Sequence, residues 1–314
     1  MAKTYSTDRT APRHTLMKQI IKCKELYLFL LPTILLIFIF NYIPMYGILM
    51  AFQDFAPSLG IDGSPWVGLK HFQRLFTLPK FGEILKNTVT ISVLSLIINF
   101  PFPIVLALLV NQITHARVKK TVQTITYMPH FISVVVVVGM IKVLMSQSGG
   151  LYGGLISLFG IANPVDFLGK ESAFKWLYVF SDVWQHTGWN SIIYIAALSS
   201  VDPALYEAAT VDGANRWHKI RHIDIPALIP TMVILLILST GNILGVGFEK
   251  TYLLQNPLNV GASEVISTYV YKIGLQSAQY SFSTAVGLFN TIVNFLFLLL
   301  VNTVSSKISE TSLW

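Results

Sequence analysis

Six long apolar stretches constrain what this chain can fold into more than any other feature of its sequence. Each is long enough to cross a hydrocarbon core about 30 Å thick, which takes about 20 helical residues. The predicted spanning helices lie at about 26–46, 88–110, 124–144, 175–199, 227–247 and 282–303. The composition agrees, because 53% of the residues are apolar and only 12% are charged. The sequence therefore predicts an all-α membrane protein with six transmembrane helices.

The charge pattern predicts how these helices are oriented. The net charge of +7 comes from basic residues at the ends of apolar segments, so nucleic acid is not expected as a partner. More than half of the 22 lysines and arginines fall in the two terminal tails and in the connections 111–123 and 200–226. The positive-inside rule then places both termini in the cytoplasm. Residues 1–25 form a cytoplasmic tail, and residues 26–314 form the transmembrane domain.

The N-terminal part shows neither a removable leader nor redox chemistry. No small-residue cleavage site follows the first apolar stretch, so it is expected to remain as a spanning helix. Cys23 is the one cysteine of the chain, which excludes an intrachain disulfide. One cysteine and seven scattered histidines predict no metal site.

Three connections predicted on the outer side carry features of their own. The segments 146–170 and 247–279 are long enough to serve as contact surfaces for an external partner. Before the second span, Leu69, Phe72 and Leu75 recur at helical spacing opposite polar residues. This pattern predicts a helix lying along the membrane surface. The alternative is a helix packed on the rest of the protein.

The loop 202–226 is too polar to span a membrane, and its residues predict a helix, a tight turn and a second helix. Asp202 is placed to cap the first helix, with Pro203 at its first position. Gly213 can end that helix in the left-handed conformation, and a second short helix can follow from Asn215. Ala208, within the first helix, would let another surface approach closely.

The loop also contains Glu207-Ala208-Ala209, then Gly213, and then Ile223 and Pro226. This spacing resembles the coupling loop of binding-protein-dependent ABC importer permeases: E-A-A, three residues, G, nine residues, I-x-L-P. Ile225 replaces the leucine of that pattern. Further segments are similar to sugar permeases of the maltose-transporter type, and within them to the LplB-type oligosaccharide permeases. These segments are 66–72, 87–88, 127–129, 256–258, 269–275 and 312–314.

The resemblance implies the type I ABC importer permease fold and a division of labour among several chains. This chain would be a multi-pass permease of the bacterial cell membrane, paired with a second permease that is usually a different chain. It would carry a carbohydrate, in particular an oligosaccharide, delivered by an external solute-binding protein. Two cytoplasmic ATPase subunits would bind ATP and Mg²⁺, and this chain would hold no cofactor. The residues expected to dock on an ATPase are Glu207, Ala208, Ala209, Asp212, Gly213, Trp217, Ile220, Ile223 and Pro226.

The sequence agrees that ATP is bound elsewhere. A phosphate-binding loop of the form G-x-x-x-x-G-K-[ST] is absent from the chain. The nearest segment, Gly169-Lys170-Glu171, lacks the hydroxyl residue that would contact Mg²⁺.

Two predicted spans offer groups suited to a sugar, which is held by aromatic stacking and by hydrogen bonds. The candidate path residues are Trp184, Gln185, Trp189, Asn190 and Tyr194 on the fourth span, and Ser239 and Asn242 on the fifth. In maltose-type permeases the two corresponding helices line the substrate site. The alternative is that the tryptophans belong to an interfacial belt and that the polar groups bond a neighbouring helix.

Two other classes of protein compete with a permease. An ion-coupled secondary transporter uses intramembrane carboxylates or histidines as proton relays. Five of the six predicted spans lack Asp and Glu, and the fourth has Asp182 and His186, for which a structural or cavity-lining role is favoured. A membrane enzyme needs a clustered catalytic set. Ser191, His186 and Asp182 lie on adjacent turns of one helix and cannot form a hydrolytic triad alone, so no catalytic residue is predicted.

Overall fold

Helices make up nearly all of the regular structure in the computed structural model, which describes residues 23–161 and 164–309. The principal helices are α1 (Lys24–Phe52), α2 (Lys70–Thr77), α3 (Phe81–Asn111), α4 (Ala116–Phe131), α5 (Val134–Leu144), α6 (Leu151–Phe159), α7 (Glu171–Ser199), α8 (Pro203–Val211), α9 (Arg216–Thr240), α10 (Phe248–Leu254), α11 (Ile266–Tyr271) and α12 (Tyr280–Ser309). Single turns lie at Gly60–Gly63 and Val260–Ser263, and a wide turn at Lys272–Gln276 extends α11. Most of the predicted N-terminal tail and the segment 312–314 lie outside the described residues.

Four helices of the described part, α1, α3, α9 and α12, are long and apolar enough to cross a membrane. The bent pair α4 and α5 makes a fifth candidate if it counts as one span. The fourth span predicted from the sequence lies within α7, and length and composition do not place this helix among the candidates. The reason is that Asp182, Gln185, His186 and Asn190 make α7 more polar than the other long helices.

The predicted span 124–144 is not one straight helix, because α4 and α5 meet at an angle of 97°. Pro129 lies in a tight turn at the end of α4, and the Ser133 side chain caps α5. Helix α7 supports the bend, since Gln185 Nε2 donates a hydrogen bond to the Ile132 carbonyl oxygen at 2.9 Å. In a continuous helix that oxygen would accept from an amide four residues later. The break therefore supplies Gln185 with its partner.

The predicted span 227–247 ends early, at Thr240, and the following residues leave the helical path. Side chains of two neighbouring helices satisfy this irregular backbone. The Leu244 amide donates to Asn294 Oδ1 of α12 at 2.9 Å, and the Gly247 amide donates to the Tyr178 hydroxyl of α7 at 3.0 Å. Backbone of this kind is tolerated within apolar surroundings only where protein groups or water satisfy it.

Helix α2 is packed on protein, which supports the alternative to a membrane-surface helix. Leu75 is fully buried in a core cluster with Phe81 and Phe282. His71, on the face predicted to be polar and exposed, is also buried, and its Nε2 lies 3.1 Å from Asp54 Oδ1. Leu69 and Phe76 stay exposed, so only part of the apolar face of α2 packs on protein.

Helix α7 occupies the centre of the bundle and packs against α3, α4 and α9. Its N-terminal half contributes Tyr178 to a core cluster with Ile91 of α3 and Val138 of α5. Its C-terminal half contributes Tyr194 to a cluster with Leu228 of α9. Helix α1 differs, since its apolar portion has no buried residue and only its C-terminal part packs on α12.

Candidate functional site

The loop between α7 and α9 adopts the helix, turn and helix predicted from its sequence. Asp202 Oδ1 accepts from the Ala204 amide at 2.9 Å, which caps α8 as predicted. Gly213 has a φ of +75°, and its left-handed conformation ends the turn. Asn215 then caps α9, because its Oδ1 accepts from the His218 amide at 2.9 Å. The local signals are therefore confirmed residue by residue.

This loop presents apolar side chains that no part of the described chain covers. Val211 is 89% exposed and Trp217 is 64% exposed, and Leu205 is also exposed. Of the residues predicted to dock on an ATPase, Glu207, Ala208, Asp212, Gly213, Trp217 and Pro226 are exposed, whereas Ala209, Ile220 and Ile223 are half-buried. Exposed apolar groups clustered in a polar loop mark a surface for another protein. Leu205 and Val211 were not among the predicted docking residues, although both are large apolar residues in a segment too polar to span a membrane.

A cavity of about 390 Å³ lies between α3, α7 and α9. Four of the predicted path residues line it: Asn190, Tyr194, Ser239 and Asn242. Asp182, for which a structural or cavity-lining role was favoured, also lines it, together with four polar residues that were not predicted: Ser92, Ser95, Asn99 and Tyr178. A signal was present for three of them, because Ser92, Ser95 and Asn99 share one face of an otherwise apolar helix. The cavity thus combines aromatic rings with hydroxyl and amide groups.

The other three predicted path residues lie elsewhere. Gln185 is buried at the bend between α4 and α5, as described above. Trp189 stacks on the His130 ring, with centroids 4.4 Å apart and planes at 3°. Trp184 lines a separate, mostly apolar cavity of about 770 Å³ between α5 and α7. One helix therefore carries these residues on different faces, and only Asn190 and Tyr194 reach the cavity between α3, α7 and α9.

Among the residues that the structure describes, Asp182 is the one charged residue that lines the cavity between α3, α7 and α9. Its carboxylate lies 3.1 Å from the Lys250 Nζ of α10 and 3.3 Å from His186 Nδ1, and it accepts from Asn99 Nδ2 at 2.8 Å. Lys250 is only 4% exposed, and its ammonium lies 4.9 Å from the centre of the Tyr178 ring. A buried ammonium and a half-buried carboxylate thus neutralise each other at the edge of the cavity. They also attach α10, from the connection 247–279, to α7.

A second charged cluster ties the same connection to the start of α3. The nearly buried Glu264 carboxylate lies 2.6 Å from Lys80 Nζ and 2.9 Å from Lys272 Nζ. Burial acts to raise the pKa of Glu264, but hydrogen bonds from Lys80 and Lys272 outweigh it, and the pKa lies below its ordinary value. Asn87 of α3 donates to the Gly261 carbonyl oxygen at 2.7 Å. The connection 247–279 is therefore an ordered part of the bundle.

A polar cavity within a bundle of apolar helices, joined by α9 to a loop with exposed apolar side chains, is typical of a membrane transport protein. Residues 99–310 match the family described as the binding-protein-dependent transport system inner membrane component. The chain belongs to this family, and its fold is that of a type I ABC importer permease.

Individual proteins show the same relationship over nearly the whole chain. The polygalacturonan/rhamnogalacturonan transport system permease protein YteP of Bacillus subtilis (strain 168) is 47% identical over 96% of this chain and 94% of its own length. Protein LplB of the same strain is 40% identical over 93% of this chain and 91% of its own. A bacterial ABC transporter involved in the import of the acidic polysaccharide alginate contains a similar chain, with a TM-score of 0.85. The two are 43% identical, over 94% of this chain and 99% of that one.

Proposed function

We propose that this chain is the transmembrane permease subunit of an ATP-driven importer and forms, with a second permease, the path for an oligosaccharide. One observation carries the proposal. Helix α9 begins in the exposed loop at Arg216 and ends at Thr240, beside the cavity residues Ser239 and Asn242. At 1.5 Å per residue, its 25 residues span about 37 Å. A single helix therefore connects a surface for a cytoplasmic subunit with a site for a solute.

The chemistry of the cavity fits a carbohydrate. The Tyr178 and Tyr194 rings and the Asn190 and Asn242 amides offer stacking surfaces and hydrogen bonds. Because Asp182 is paired with Lys250, the cavity carries little net charge. The names of the relatives support the same class, since YteP is named for polygalacturonan and rhamnogalacturonan, and the similar solved chain belongs to an alginate importer.

The proposed assembly has four further proteins and is surrounded by lipid. The proteins are a second, different permease, two cytoplasmic ATPase subunits that bind ATP and Mg²⁺, and an external solute-binding protein. The chain itself would be non-catalytic and hold no cofactor. The uncovered apolar groups of the loop 202–226 support docking of an ATPase, and the exposed α1 supports contact with lipid or the second permease. In the alginate transporter, the solved complex includes a pentasaccharide-bound periplasmic protein.

The proposed topology has six crossings with both termini in the cytoplasm: α1, α3, the pair α4 and α5, α7, α9 and α12. Helix α7 would cross despite its polar residues, because Asp182 and Asn190 line a cavity and Gln185 bonds to protein instead of facing lipid. Residues 1–25 would form the cytoplasmic tail, and residues 26–314 the permease domain.

The test is uptake into proteoliposomes that contain the permease pair, the ATPase and the binding protein. We expect uptake of labelled oligosaccharide to require enclosed ATP and to stop with vanadate. Uptake that persists without ATP and collapses with an ionophore would favour an ion-coupled secondary transporter instead. An Asp182→Asn variant adds a second criterion, because a proton relay would lose all uptake driven by an ion gradient.

A further inference from the structure

Asp224, near the start of α9, is a carboxylate in an unusual position. Its side chain is completely buried, with 0% exposure, and it forms no ion pair with any residue that the structure describes. A buried charge is costly unless hydrogen bonds replace those of water. Asp224 stands at a position that the coupling-loop pattern leaves unspecified, between Ile223 and Ile225, so the pattern does not explain this carboxylate.

Three neutral donors from two other parts of the chain converge on Asp224. The Tyr206 hydroxyl of α8 donates to Oδ1 at 2.5 Å. At the end of α3, Gln112 Nε2 donates to Oδ2 at 2.9 Å, and Asn111 Nδ2 donates to Oδ1 at 3.3 Å. Hydrogen bonds to an ionised acceptor are stronger than those between neutral groups. The carboxylate therefore joins α8, α3 and α9 at one point.

The chemistry of Tyr206 suits this arrangement. Burial, together with the hydrogen bond to Asp224, raises the pKa of Tyr206 to about 12, so its hydroxyl keeps the proton that it donates. Two other links join α8 to α9: the turn around Gly213, and an exposed hydrogen bond from Lys219 Nζ to Thr210 Oγ1 at 2.7 Å. The Lys219 bond is exposed to water and joins only α8 and α9, whereas the buried Asp224 carboxylate also binds the end of α3.

We propose that Asp224 is a positioning residue for ATP-driven transport: its carboxylate makes α8 and the adjoining ends of α3 and α9 move as one unit. We call the contacts of Tyr206, Asn111 and Gln112 with Asp224 the joint. Because α3 and α9 both border the cavity, the joint transmits a displacement of the exposed loop to two walls of the cavity. The inference rests on the proposed function, since it assigns a role within the ATP-driven cycle.

A Tyr206→Phe variant in the reconstituted transporter tests the joint. It removes one hydroxyl and leaves the ring in place, and a hydrogen bond to a charged group changes the equilibrium of the joint by about ten-fold or more. We expect several-fold less solute transported per ATP hydrolysed. Tyr46→Phe is the matched control, because it deletes another tyrosine–aspartate bond, to Asp62, far from this loop. If the Tyr206 variant does not assemble, Gln112→Met removes a different donor and is judged by the same ratio.

A distance measurement tests the joint directly. Spin labels at Ala204→Cys in α8 and Thr114→Cys beyond α3, with Cys23 replaced by serine, report whether the two parts move together. We expect one narrow distance distribution with and without nucleotide in the otherwise unmodified chain, and a broader one after Tyr206→Phe. A distance that changes between nucleotide states in the unmodified chain, or a normal transport ratio in both donor variants, would overturn the inference. Failure of the proposed function would look different, since the unmodified transporter would itself show no ATP-dependent uptake.

Discussion

Replacing Gly213 by valine tests the proposed coupling role of the loop 202–226. The φ of Gly213 is +75°, and a Cβ added there would meet no other heavy atom within 4 Å. The cost of valine therefore comes from the backbone, at about 1–2 kcal/mol for an L-residue in the left-handed conformation. Relaxing that strain would break the bond from the Ala214 amide to the Ala209 carbonyl oxygen, which measures 2.8 Å. Losing it costs about 1 kcal/mol.

The strain alone shifts the equilibrium away from the observed turn by about 1–2 kcal/mol, or about 5- to 30-fold, because the hydrogen bond that relaxation breaks opposes the shift equally for glycine and for valine. The turn sets the angle between α8 and α9, so its loss would displace Trp217 relative to Ala208 on the docking surface. We expect Gly213→Val to reach the membrane but to lose most of its ATPase association and solute-stimulated ATP hydrolysis. Gly213→Asn should retain more of both, because asparagine tolerates the left-handed conformation better.

The assay compares pull-down of the ATPase and stimulated hydrolysis in purified complexes. Gly160→Val is the matched control, since Gly160 has a φ of +63° and equally open surroundings but ends α6, in the connection 146–170. The Gly160→Val variant introduces the same backbone strain far from the loop 202–226. The reasoning is refuted if Gly213→Val binds and stimulates the ATPase as well as Gly160→Val does.

Three further predictions concern the cavity, the topology and pH. Asn242→Ala should raise the KM for uptake, whereas Trp184→Ala should leave it unchanged. The reason is that Asn242 lines the cavity between α3, α7 and α9, and Trp184 does not. Equal effects of the two variants on uptake kinetics would contradict this assignment. In a cysteine-free background, an impermeant reagent applied to intact cells should label a cysteine at Asp62 and not one at Lys219, and the reverse order would invalidate the topology. The pKa of Glu264 is lowered by folding, so its contribution to stability is present above the unfolded value of about 4.3 and is lost as pH falls through the folded value. Thermal unfolding should show a smaller loss of stability on acidification for Glu264→Gln, and an identical pH profile would count against the ion cluster.

Local features of the loop could be read from the sequence because they depend on neighbouring residues. Asp202 and Asn215 cap the helices that follow them, and Gly213 takes the one conformation that glycine adopts most readily. The long apolar segments could also be predicted from the sequence, since a helix needs a certain apolar length to cross the bilayer. The coupling-loop spacing also pointed to the family that the comparisons show.

The sequence could not show how the polar residues of α7 divide among its neighbours. Periodicity places Gln185, Trp189 and Asn190 on a helix, but it does not say which helix faces each side chain. The bend at Ile132 gives Gln185 a carbonyl partner, whereas Asn190 faces the cavity. The hydrophobic pattern does not predict this bend, because the apolar residues continue from α4 into α5.

The apolar helices, the helix caps of the loop 202–226 and its glycine turn follow from the amino-acid sequence alone, because each depends on residues close together in the chain. The pairing of Asp182 with Lys250, and the contacts of Tyr206 and Gln112 with Asp224, depend instead on how the helices pack. Those groups are separated by many residues, and burial makes their contacts energetically important. Packing of the helices sets which charges lose water, and therefore which polar partners each must find.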